Sequence, residues 1–189
     1  MKKTVLTFGL ISGVVSSLLM LLTVPFIDRI GFDKGVFVGY TAIVLSFLLV
    51  FFGIKSYREN VGGGEITFGR AFTVGILITL ISCVFYVLTW EVVYFKIMPD
   101  FGQKFATYAI EQMKASGASQ QAIDAKAQEM AAFVKSYNNP LINMAYTFIE
   151  PFPVGLIVTL ISAAILRKRR REELQAANAQ QAESVASGQ

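Results

Sequence analysis

Four long apolar runs, over 4–27, 36–54, 72–95 and 142–166, set the plan of the chain. None alternates with a helical or strand period. Each approaches or exceeds the roughly 20 residues that cross a hydrocarbon core about 30 Å thick at about 1.5 Å per residue. The pattern predicts an all-α fold, an integral membrane four-helix bundle. Glu150, Pro151 and Pro153 interrupt the fourth run. Lys2 and Lys3 precede the first run as in a secretory signal, but its length and the lack of a small-x-small cleavage pattern predict a retained helix. Between the third and fourth runs the period becomes helical. Phe101, Phe105, Tyr108 with Ala109, and Met113 form one stripe, and Ile123, Ala127, Met130, Phe133 with Val134, and Tyr137 form another. Asp100 with Gln103 is expected to cap the first of these helices as a capping box, and Gly117 to end it. Ser119 is expected to cap the second, which Asn138, Asn139 and Pro140 close. The prediction is an amphipathic helical hairpin over 100–137.

Charge orients these elements. Of the 189 residues 54% are hydrophobic and only 16% charged, against about 25% charged in soluble domains. Lys2 and Lys3, then Lys55, Arg58 and Arg70, then Arg167, Lys168, Arg169, Arg170 and Arg171 mark one side of the membrane. The first short loop, with Asp28, Arg29, Asp33 and Lys34, balances to zero on the other. Positive residues gather on the cytoplasmic side, so both termini are expected there and the hairpin outside. The cluster 167–171 abuts a span and is expected to meet anionic lipid headgroups rather than nucleic acid. Residues 1–171 then form one membrane domain. The Ala-, Gln-, Ser- and Glu-rich segment 172–189 is expected to be a disordered cytoplasmic tail.

Small residues suggest how the spans meet, because helices in lipid associate where backbones approach closely. Gly9 and Gly13 form a Gly-x-x-x-Gly pair, while Gly75, Thr79 and Cys83 keep the same spacing, as do Gly155, Thr159 and Ala163. Segments 67–82 and 147–162 are identical at nine of sixteen positions at an offset of eighty. In the expected topology the two copies cross in opposite directions, a hint of the inverted repeats that build many transporter sites.

Candidate chemistry is sparse. There is no histidine, and the one cysteine, Cys83, lies within the third run. Gly62, Gly63 and Gly64 are not followed by the Lys-Ser or Lys-Thr of a phosphate loop. No catalytic residue, cofactor or metal site is expected, and the chain reads as non-enzymatic. Intramembrane ionisable residues are functional candidates by default, which selects Glu91 and Glu150. Near the outer ends of their spans they fit a shared proton or cation site with Tyr86, Tyr94 or Tyr146 nearby. They also fit an interfacial belt of Trp90, Glu91 and Tyr94, with Glu150 capping a helix that opens at Pro151.

The stretch from Gly63 through Glu65, Ile66, Thr67, Phe68, Gly69 and Arg70 to Gly75, then Met98, Pro99, Asp100 and Phe101, and finally Thr147 to Glu150 leading into Val154 to Ser162, carries a resemblance. These residues resemble the bacterial family called domain of unknown function 4199, from about residue 4 to residue 170. The resemblance implies a multi-pass protein of the bacterial cytoplasmic membrane and supplies no catalytic roles. The expected function is structural or partner-binding, with a protein partner or a packed cap at the hairpin. The alternative is a small transporter or proton or cation permeation unit using Glu150 and Glu91, dimeric through the Gly9 and Gly13 face.

Overall fold

The computed structural model describes residues 1–168, apart from the side chain of Asp28. Its principal elements are α1 (Lys2–Thr23), α2 (Ile27–Ile30), α3 (Phe32–Asn60), α4 (Phe68–Val92), α5 (Phe101–Ala115), α6 (Gln120–Tyr137), α7 (Pro140–Ile149) and α8 (Pro151–Leu166). A 3-10 turn, Val24–Phe26, follows α1, and a π turn, Val93–Ile97, prolongs α4. Four helical stretches are long and apolar enough to cross a membrane: Lys2–Phe26, Phe32–Asn60, Phe68–Ile97 and Pro140–Leu166. They outrun the apolar runs because helix continues into flanking polar residues, as at Lys55 to Asn60. The chain is thus a four-span helical membrane protein.

Successive spans reverse direction, so α1 and α4 run one way and α3 and α8 the other. α1 packs on both α3 and α4, α8 packs on the same two helices, and α3 meets α4 between them. Val50, Ile54, Val74 and Ile78 are wholly buried there. Leu22, Phe37, Leu88 and Ile165, by contrast, are more than half exposed, the outward apolar face expected when lipid replaces water as solvent. At the end that carries the N-terminus, Gly63 and Gly64 take positive φ of 63° and 89° in the turn after α3. Ile66 there exchanges backbone hydrogen bonds with Lys168, at 3.1 and 3.0 Å. The three glycines thus serve a turn.

The small residues lie where backbones come closest. A Cβ on Gly155 would sit 2.4 Å from Thr79 Cγ2, and one on Gly75 would sit 2.8 Å from Thr159 Cγ2. The two threonine hydroxyls meet at 3.1 Å between them. Residues 75 and 79 are the counterparts of 155 and 159 in the eighty-residue repeat, so this antiparallel α4–α8 crossing has a local two-fold character. Likewise a Cβ on Gly9 would meet Ile81 at 2.9 Å, and one on Gly13 would meet Phe85 at 2.6 Å. The Gly9 and Gly13 face is therefore covered by α4. This corrects the expectation that a second copy docks through it. One polar layer crosses the bundle below: Ser12 donates to the Ser46 carbonyl at 2.9 Å and meets the Ser82 hydroxyl at 3.0 Å.

α5 and α6 pack on each other as a helical pair around Ala106, Met130 and Val134. Ser119 caps α6 by accepting from the Ala122 amide at 3.3 Å. Asp100 does not form the expected cap. Its carboxylate instead pairs with Lys104 at 3.0 Å, and that ammonium holds the Asp100 carboxyl below its ordinary range. Asn139 opens α7 by accepting from the Leu141 amide at 3.0 Å. Arg169, Arg170 and Arg171 and the segment 172–189 lie outside the described residues.

Candidate functional site

The fourth span breaks at Glu150. Pro151 and Pro153 lack the amide hydrogens that would bond the carbonyls four residues earlier, at Thr147 and Ile149, so α7 ends and α8 begins there. The Glu150 side chain makes no helix-capping bond. Glu150 stands at the N-cap position of α8 as expected, but its Oε2 accepts from the Tyr86 hydroxyl of α4, 3.1 Å away, rather than from the first turn of α8. Its Oε1 has no hydrogen-bond partner among the described residues.

Glu150 and Tyr86 edge a cavity of about 330 Å³ at the end of the bundle away from the N-terminus. Met20 and Ile27 close one side, Val36 and Ile43 of α3 another, and Phe101, Phe105, Phe133 and Tyr137 of the hairpin form its roof. Glu150 is the one carboxylate lining it, and no lysine or arginine does so, among the described residues. Its other polar groups are satisfied within the protein. Ser16 and Thr23 donate back to carbonyls of α1, at 2.8 and 2.9 Å.

The aromatic wall is fixed by a polar chain. Trp90 Nε1 donates to the Tyr137 hydroxyl at 3.0 Å, which lies 3.4 Å from the Thr147 hydroxyl. Thr147 in turn donates to Asn143 Oδ1 at 3.2 Å, and Asn143 Nδ2 returns to the Tyr137 carbonyl at 3.2 Å. Since Thr147 gives its only hydrogen to Asn143, the Tyr137 hydroxyl is the donor toward Thr147. Burial pushes that phenol above its ordinary range, so it remains a donor at neutral pH. The Trp90 ring meets Phe101 edge-on at 4.9 Å, tying α5 to the same wall. At the far side Phe32 packs on Phe101, Phe105 and Tyr108, and the Tyr108 hydroxyl donates to Asp33.

The other expected site residues fall elsewhere. Five residues beyond Tyr86, Glu91 lies about 140° around α4. It does not line the cavity, and its Oε1 is buried without a hydrogen-bond partner among the described residues. Glu91 and Glu150 therefore do not line one cavity. Tyr94 donates to Asn138 at 2.8 Å, and Tyr146 is largely exposed against Phe133 and Tyr137. At the opposite end Arg58 reaches the Leu166 carbonyl at 3.4 Å and Arg70 the Tyr57 hydroxyl at 3.2 Å, and Arg167 and Lys168 follow Leu166 in the chain. No group of three or more potential metal-ligating residues occurs among the described residues. Sequence reasoning did not join Trp90 to Tyr137. The available signal was the four-residue spacing of Tyr86 and Trp90, which puts both on the face that Glu150 meets.

The family model described as "Protein of unknown function (DUF4199)" matches residues 7–168. The chain belongs to that family. No curated protein and no solved structure matches it. The DUF4199 match covers every residue that lines the cavity, from Ser16 to Glu150.

Proposed function

We propose that this DUF4199 protein is a non-enzymatic binding protein of the bacterial cytoplasmic membrane. It holds one small, mostly apolar molecule between its span ends and the α5–α6 hairpin. The observation that carries the reading is the cavity itself: about 330 Å³, apolar on nearly every side, with one carboxylate whose second oxygen has no hydrogen-bond partner among the described residues. Ligand sites are typically apolar concavities of roughly 300–1,000 Å³ with a few placed polar groups. Both termini face the cytoplasm and the hairpin faces outward, an orientation supported by the basic residues at the terminal end. There Arg167 and Lys168 meet anionic headgroups.

The apolar stripes of α5 and α6 are used in roofing the cavity and in packing on each other, so the hairpin needs no protein partner to bury them. Passage of a solute or proton across the bundle is less well supported, because the core below the cavity is closed by fully buried Val50, Ile54, Val74 and Ile78. Trp90 is the sole tryptophan and lines the cavity, which makes it the reporter. In lipid nanodiscs, 1-bromooctane is expected to quench its emission along a saturable curve, and Ala42→Phe, which fills the cavity, is expected to leave only the linear quenching of a lipid-exposed ring. Linear quenching in the wild type would overturn the reading.

A further inference from the structure

Given that the cavity binds a ligand, its polar edge specifies which kind. An anion would meet the Glu150 carboxylate with no lysine or arginine in the lining to offset the repulsion. A purely apolar molecule would cover Oε1 of that half-buried carboxylate, whose other oxygen Tyr86 already occupies, without offering it a donor in exchange for water, which is costly. A cation answers both problems. It can donate to Oε1, in a charge-assisted bond stronger than one between neutral groups. The remaining polar edge is aromatic: Tyr86, Trp90 and Tyr137 line the same cavity as Glu150, and aromatic faces attract ammonium groups, tryptophan most strongly. These rings are held independently of any ligand, Tyr86 on Glu150 Oε2 and Trp90 on the Tyr137 hydroxyl.

From this juxtaposition we infer that the site selects a monocationic amphiphile: a protonated amine whose nitrogen donates to Glu150 Oε1 beside Tyr86, Trp90 and Tyr137, and whose apolar body fills the space between α1, α3 and the hairpin. A single carboxylate matches a single positive charge. The apolar walls formed by Met20, Ile27, Val36 and Ile43 offer nothing to a second polar group. The amine enters the cavity charged and leaves it unchanged.

The test compares two probes of matched length, octylamine and 1-octanol, on wild-type protein in nanodiscs. Binding is read by calorimetry and Trp90 emission, with free concentrations corrected for partition into empty nanodiscs. The amine is expected to bind about tenfold more tightly than the alcohol, a difference on the scale of one desolvated ammonium contact. Glu150→Gln keeps an oxygen acceptor for Tyr86 and is expected to abolish the preference while leaving octanol affinity within about twofold. Equal binding of the two probes by wild type, or a preference that survives in Glu150→Gln, would overturn the amine assignment while leaving the cavity as a binding site. Failure of both probes to bind wild type would instead remove the binding reading on which the assignment rests. The wild-type comparison needs no variant to fold.

Discussion

At the residue scale, backbone approach in this bundle is set by single hydrogen atoms. Gly155 faces Thr79 so closely that a methyl group has no room, whereas nothing lies within 4 Å of a Cβ built on Gly39. Gly155→Ala is therefore expected to cost about 1–3 kcal/mol through overpacking, while Gly39→Ala is expected to be neutral or slightly stabilising, since it only removes backbone freedom. Unfolding by denaturing detergent, compared with wild type, checks both. Equal losses would show that the α4–α8 contact is looser than its geometry. The glycine spacing was readable in the sequence because close packing in lipid demands small residues at fixed intervals. Which helix each glycine meets was not, because Gly9 and Gly13 suit a second copy as well as α4. Glu150 stood out for the same kind of reason, the cost of a charge at depth. Of the neighbours expected for it, Tyr86 faces it, while Glu91, about 140° further around the same helix, does not line the cavity.

At the element scale, the hairpin is held at both ends, by Trp90 of α4 and Tyr94 of the π turn on Tyr137 and Asn138, and by Phe32 and Asp33 of α3 on α5. The Tyr108–Asp33 bond needs the protonated phenol. The hydrogen bond to Asp33 raises the Tyr108 pKa above its ordinary value, so the stabilisation is complete below about pH 10 and is lost as pH rises through the folded-state value. Hydrogen exchange in α5 is expected to stay constant between pH 7 and 9, once corrected for intrinsic rates, and to accelerate at still higher pH. Tyr108→Phe is expected to show the faster exchange between pH 7 and 9 and to lose that difference above the phenol range. A pH-independent difference extending above the phenol range would assign the restraint to Phe32 packing alone. The periodic stripes announced α5 and α6, and Ser119 announced the start of α6. Asp100 misled because a carboxylate at that position satisfies Lys104 one turn later as readily as it satisfies a backbone amide.

At the scale of the whole molecule, four spans were legible from apolar run length, since a bilayer leaves few ways to satisfy the backbone. The cavity was not legible, because it arises where spans and hairpin meet and no local pattern encodes their separation. Orientation is tested with a membrane-impermeant maleimide on intact cells, using a Cys83→Ala background. Gln121→Cys in the hairpin is expected to label at once, and Asn60→Cys only after permeabilisation; the reverse order would invert the protein. The central claim, that the hairpin-roofed cavity holds a ligand beside Glu150, is tested most directly by anomalous diffraction. Crystals grown in a lipid mesophase with 8-bromooctylamine are predicted to show a bromine peak inside the cavity near Val36 and Ile43, with density reaching the Glu150 carboxylate. Bromine peaks confined to the lipid-facing surfaces, with the cavity free of probe density, would contradict the account.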